Sequence, residues 1–151
     1  MTLNLIKLCV GCDSVEDLRE WQTEKLAQKR KAGQKPELFH VTRMMPKRRD
    51  AVIDGGSLYW VIKGYVRVRQ RILDLRPHND KEGLACCAIV YDPQLVPTSL
   101  MAHRPFQGWR YLDPADAPPD VGSRGFSEAL AGWDREPPPE LLRQLRDLGL
   151  I

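Results

Sequence analysis

The side chains with the greatest capacity for chemistry are cations. Residues 41–76 hold Arg43, Lys47, Arg48, Arg49, Lys63, Arg67, Arg69, Arg71 and Arg76. Only Asp50, Asp54 and Asp74 oppose them, leaving a net charge of +6 over 36 residues. Such a local excess favours an anionic partner: nucleic acid, a phosphorylated ligand or an acidic protein. Within it, Pro46-Lys47-Arg48-Arg49 opens a predicted short helix over 46–53, with Arg43 just ahead. The first turn of a helix favours acidic residues, and each cation there costs a few tenths of a kcal/mol. Free N–H groups and cationic side chains on one spot are the materials of an anion site. The competing reading is a solvated basic face, neutralised by Asp50, Asp54 or the acidic C-terminal part.

Two further sets follow. Tyr65, Arg67, Arg69 and Arg71 fall on one face of a predicted strand. Same-face residues recur about every 6.6–6.8 Å, so three guanidiniums at that pitch match a phosphate track, with Tyr59 or Tyr65 as a stacking surface. Protection of an exposed sheet edge, or pairing with cross-strand carboxylates, accounts equally for the stripe. The run His103 to Tyr111 sets Arg104 and Arg110 beside Phe106 and Trp109. Trp109 is a candidate for stacking on a base, and ordinary packing is the alternative.

Thiol and imidazole chemistry is sparser. Cys9-Val10-Gly11-Cys12 is a C-x-x-C ahead of a helix, where a thiolate pKa is lowered. The remaining cysteines, Cys86 and Cys87, are adjacent in an apolar run, not a second spaced pair. No zinc site is expected from that arrangement, and neither a metal nor a cofactor is assigned. His40, His78 and His103 stand alone in sequence; His40, close to Arg43, is the one placed to act as acid or base on an anionic substrate. The nucleophile-elbow, phosphate-loop and dinucleotide signatures are absent from the sequence.

The elements that must position these groups are legible from periodicity. Leu3 to Val10 reads as a strand. Asp13 and Glu16 begin a helix over about 14–32 that places Val15, Leu18, Trp21 and Leu26 on one face and ends at Gly33. Strands follow at 38–45, 57–64, 65–73, 84–91 and 95–104, and another over 106–112. Residues 77–83 form a loop. Short helices are expected over 126–133 and 140–148. Along 65–73, Val66, Val68 and Ile72 point inward and Tyr65, Arg67, Arg69 and Arg71 outward. Consecutive strands without helices between them argue for an α+β fold with a mainly antiparallel, barrel-like sheet and flanking helices.

The 151 residues fit one domain, with an α+β body over 1–112 and a Pro-rich acidic tail over 113–151. The formal net charge is +3, but residues 1–112 carry 19 basic and 12 acidic side chains and residues 113–151 carry 4 and 8. No apolar run reaches the roughly 20 residues of a spanning helix. The N-terminal apolar patch is broken by charge and lacks a small-residue cleavage site, and the cysteines form no disulfide framework. A cytoplasmic protein is expected.

The segments MTLNLIKLCVGCDSVEDL, TRMMPKRRDAVIDGGSLYWVIKGYVRVRQRI and HRPFQGWRYLDPADAPPD resemble domain of unknown function 1489, a bacterial family, nearly end to end. The resemblance implies a small, stand-alone, cytoplasmic bacterial protein and supplies no activity. In layout, a basic short helix ending in glycine, a strand, a glycine and a strand with outward arginines is similar to PUA-like and ASCH-type barrels. That likeness implies binding of RNA or a modified base in a cleft beside the barrel.

The expectation is a non-enzymatic nucleic-acid-binding module, RNA before DNA. Arg43, Lys47, Arg48, Arg49, Arg67, Arg69 and Arg71 would hold phosphate, and Tyr59, Tyr65 or Trp109 would stack a base. The alternatives are an enzyme acting on a small phosphorylated ligand or nucleotide, and an interaction module for an acidic protein.

Overall fold

A computed structural model describes residues 2–104 and 106–120. The helices expected at 126–133 and 140–148 lie outside the described residues. The chain runs β1 (Asn4–Leu8), α1 (Val15–Lys31), β2 (Leu38–Thr42), α2 (Arg49–Ile53), β3 (Ser57–Ile62), β4 (Tyr65–Asn79), β5 (Ala85–Tyr91), β6 (Val96–Ala102) and β7 (Trp109–Leu112). Ser14 caps α1, its hydroxyl accepting from the Asp17 N–H at 3.1 Å, one residue later than the sequence suggested. Basic residues occupy the last turn and Gly33 follows at φ 72°.

The sheet is mixed but mostly antiparallel, in the order β2-β5-β4-β3-β1-β7, with β6 on the first half of β4. Among the described residues only β1 and β3 run parallel, which the intervening α1-β2-α2 segment makes possible. Among the described residues β2 and β7 do not pair, so the strand path is open.

Strand β4 is the organising element. Its first half lies between β3 and β6, and its second half pairs with β5. Two bulges separate the regimes. Val66 pairs with Val61 and Val68 with Trp60, so Arg67 is an extra residue. Ile72 pairs with Tyr91 and Asp74 with Val90, so Leu73 is another. Each extra residue turns the strand over by one position and sharpens its bend. The strict alternation read from the sequence is therefore corrected. Val66 joins Ile6, Tyr59, Val61 and Leu112 on one face of the sheet, whereas Val68 and Ile72 join the main core. Tyr65 and Arg67, expected outward, are buried. The strand also continues through 77–79, where a loop was expected.

The main core lies beneath α1, between the two sheet halves, and gathers Leu5, Val15, Leu18, Leu58, Trp60, Ile72 and Ile89. A polar knot crosses it. Gln22 of α1 and Gln70 of β4 exchange two amide hydrogen bonds at 2.8 Å, Trp60 Nε1–H donates to Gln70 Oε1 at 2.9 Å, and Gln70 Nε2 donates to the Asp92 carbonyl at 3.0 Å. The helix thus buries Gln22 where the apolar pattern placed Trp21, which is 43% exposed.

Gly56 joins α2 to this core. A Cβ at Gly56 would stand 2.2 Å from the Leu3 carbonyl oxygen and 2.3 Å from that of Val52. Both obstacles are backbone, so Gly56→Ala forces the end of α2 away from β1. The expected cost is about 1–3 kcal/mol of overpacking strain, read from urea unfolding. Gly56→Ala unfolding at the wild-type midpoint would refute this close approach.

Candidate functional site

Charge pairing removes Arg43, Arg49, Arg69 and Arg76 of the expected cation cluster from availability. The Arg43 guanidinium is 2.9 Å from Asp80. Arg49 donates to Asp74 at 2.6 Å and to the Leu75 carbonyl at 2.9 Å. Arg69 holds Asp120 through two hydrogen bonds, at 2.7 and 2.6 Å, and donates to Ser57 Oγ. Arg76 bridges Glu37 and Asp74. The carboxylates respond accordingly. Hydrogen bonds from Arg76 hold Glu37 and Asp74 below their ordinary range, and Arg43 and Arg69 do the same for Asp80 and Asp120. These partly exposed pairs contribute little stability individually, but they occupy the guanidiniums.

Arg67 departs furthest from the outward stripe. It is 1% exposed, donates from Nε to the Ile62 carbonyl at 2.9 Å, and lies 3.9 Å over the Tyr65 ring. Tyr59 and Tyr65 are themselves buried, so neither offers an open ring face, and burial raises the Tyr59 hydroxyl pKa. The side chains of Lys47, Arg48 and Arg71 make no hydrogen bond or ion pair among the described residues. The short helix begins at Arg49, so Lys47 and Arg48 sit on the loop ahead of it.

A different constellation assembles on the core-side face. Lys7 of β1 pairs in register with Trp60 of β3 on one side and Trp109 of β7 on the other. The His40 ring meets Trp60 edge-on at 5.5 Å. Trp109 Nε1 donates to the Met44 carbonyl at 2.7 Å, and its ring meets Tyr111 at 4.8 Å. The Tyr111 hydroxyl accepts from the Arg48 backbone N–H at 3.0 Å. A line of contacts thus runs from His40 through Trp60, Lys7, Trp109 and Tyr111 to Arg48. Two strand spacings, about 10 Å, separate the backbones bearing the two indoles.

At the His40 end the line opens into a cleft of about 310 Å³. Its walls come from the Cys9–Cys12 turn, from Asp17 and Trp21 on the first turns of α1, and from His40 and Trp60. This is the lower end of the size range of small-ligand clefts, and the lining is predominantly apolar and aromatic. Burial, aided by the Lys7 charge, depresses His40 to about 4, so its ring is neutral at pH 7. Burial also lowers the Lys7 pKa and raises that of the Cys9 thiol, which stays protonated. The thiols of Cys9 and Cys12 are free. Among the described residues no group of three His, Cys, Asp or Glu is placed to hold a metal ion.

The sequence set Trp109 beside Arg104 and Arg110, whereas its register partner is Lys7 and the Arg110 guanidinium lies over Phe106; Lys7, Trp21 and Trp60 were not singled out as candidate site residues. Trp60 fitted an apolar alternation and Trp21 a helical core face. The available signal was the chance to align Lys7, Trp60 and Trp109 across three strands, which requires knowing that β1 pairs with both β3 and β7.

Fold and cleft together define an α+β domain with an aromatic recess on the core side of an open, mostly antiparallel sheet. The chain belongs to the family of proteins of unknown function DUF1489, whose family model matches residues 5–151. No curated protein and no solved structure matches it. Among the described residues no helix is long and apolar enough to cross a membrane.

Proposed function

We propose that this protein binds single-stranded nucleic acid, RNA before DNA, without chemical turnover. One unstacked base enters the cleft against the exposed Trp21 ring, beside His40, and phosphates further along the strand rest on Lys47 and Arg48. The observation that carries this reading is the line of contacts joining an aromatic recess to cations that have no partner among the described residues. Aromatic faces accept bases, and a cationic margin tracks the backbone. The likeness in layout to PUA-like and ASCH-type domains supports the same reading and the preference for RNA, and the family resemblance suits a cytoplasmic bacterial protein. Of the other expected phosphate ligands, Arg43, Arg49 and Arg69 are engaged by carboxylates and Arg67 is buried, so these take no direct part here, and Arg71 is left without a carboxylate partner among the described residues. Turnover of a phosphorylated ligand gains no support from His40, which is a weak base when held near 4.

The test is a titration of the intact protein with a mixed-sequence RNA octamer, followed by tryptophan fluorescence at several salt concentrations. Fluorescence is expected to change on binding, and affinity to fall as salt rises. Each lost phosphate contact on a single strand lowers the log–log slope by about 0.7. Joint Lys47→Ala and Arg48→Ala replacement should therefore flatten it by about 1.4. Trp21→Ala should weaken binding by about 1–3 kcal/mol, the scale of one stacked base. A slope identical in wild type and double variant would sink the assignment of those cations. Salt-independent binding, or none, would sink the function.

A further inference from the structure

The residues lining the cleft are apolar, aromatic or neutral with one exception, the carboxylate of Asp17. Its position is set locally. Its backbone N–H is held by Ser14 Oγ at 3.1 Å, and its Oδ2 accepts from the Asp13 N–H at 3.0 Å. Oδ1 has no partner among the described residues. An ionised carboxylate offers about four acceptor sites, so a cleft of this kind asks its occupant for donors.

His40 supplies the reverse polarity. His40 packs against Trp60, the strand neighbour of Lys7, whose charge acts on the imidazole. A neutral imidazole provides one N–H donor, and the nearby ammonium favours a ligand acceptor at that end. The same ammonium disfavours a cationic ligand. The cleft therefore combines the exposed indole of Trp21 with a donor beside positive charge at His40 and a negatively charged acceptor at Asp17.

We infer that the base taken into this cleft is guanine, read on its Watson–Crick edge by Asp17 and His40. This inference rests on the nucleic-acid reading above and names its base. Guanine presents, in order, the O6 acceptor and the N1–H and N2–H donors. Asp17 accepts from the two donors, and His40 donates to O6. Adenine places an unprotonated N1 where the carboxylate needs a donor. Uracil flanks its one N–H with two carbonyls, which a carboxylate repels. Hypoxanthine keeps O6 and N1–H but lacks the N2 amine. No covalent step is involved.

The experiment uses the intact protein and four RNA pentamers, UUGUU, UUAUU, UUIUU and UUUUU, with tryptophan fluorescence as the readout. Wild-type protein is expected to bind UUGUU at least about tenfold more tightly than UUAUU, the scale of one bidentate base contact. UUIUU should fall between them. Asp17→Asn keeps an acceptor for the Asp13 N–H and is expected to bring the G-to-A ratio near one, while UUUUU, relieved of the carboxylate's repulsion, binds no more weakly than to wild type. The wild-type base series requires no variant, so it stands even if Asp17→Asn fails to fold. Equal, salt-dependent binding of all four pentamers overturns guanine selectivity and leaves the nucleic-acid reading intact. Selectivity for G that survives Asp17→Asn overturns the role of Asp17. Failure of every pentamer to bind overturns both proposals.

Discussion

Replacing Gln70 with leucine is expected to lower the free energy of unfolding by about 4 kcal/mol, because three separate groups lose their partner in one step. Gln70 accepts from Trp60 Nε1, exchanges two bonds with Gln22 and donates to the Asp92 carbonyl. Gln22 is 3% exposed and Gln70 fully buried, so water does not readily replace what is lost. Each unsatisfied buried group costs about 1–3 kcal/mol, and leucine's apolar volume recovers only part of this. For a domain near this size the midpoint of thermal unfolding should fall by roughly 10 °C. The double change Gln22→Leu with Gln70→Leu should cost less than the sum of its parts, because the two amides act on each other. Additive costs, or a Gln70→Leu midpoint within a degree or two of wild type, would show that the knot is not a unit. Gln22 and Trp60 also tie α1 and β3 to each other across the cleft, so Gln70→Leu should weaken oligonucleotide binding as well.

The second large effect is a loss of stability in mild acid that traces to His40. The imidazole titrates near the ordinary 6.5 of histidine when unfolded but at about 4 in the native protein, where burial and the Lys7 charge oppose protonation. Between those values the unfolded chain binds the extra proton, so stability declines as pH falls from 6.5 towards 4 and levels off below. At about 1.4 kcal/mol per unit the full loss is roughly 3 kcal/mol. His40→Phe should remove this slope. The arginine-held carboxylates behave differently. Their native pKa values lie below the ordinary 3.8 of aspartate and 4.5 of glutamate, so their contribution persists above that range and disappears only in stronger acid. Urea unfolding at pH 7, 5.5 and 4.5 separates the two regimes. Parallel decline of wild type and His40→Phe over that range would assign the acid sensitivity to other groups.

Local features were legible in the sequence; long-range ones were not. The span of α1, its basic end and the Gly33 stop follow from nearest-neighbour chemistry, and so do β1, β3 and the apolar β5. The bulges at Arg67 and Leu73 are matters of register between strands, and periodicity within one strand cannot register them. Counting charge along the chain made residues 41–76 look uncompensated. Yet the partners of Arg43, Arg69 and Arg76 lie 37, 51 and 39 positions away. Nothing near Gln22 in the chain marks it for burial, because its partner Gln70 is 48 positions distant. A lysine usually keeps its charge in water, whereas Lys7 is only 8% exposed.

The length of β4 has a consequence for how the molecule comes apart. One continuous 15-residue strand belongs to both halves of the sheet, so neither half can melt and leave the other with its central ladder whole. Amide exchange along β3, β4 and β5 should accordingly proceed through a single cooperative opening. Strand β7, which among the described residues pairs with β1 alone, supplies the earliest fraying. That edge carries Trp109, so transient loosening there would reach the line of aromatic contacts well before the spine yields.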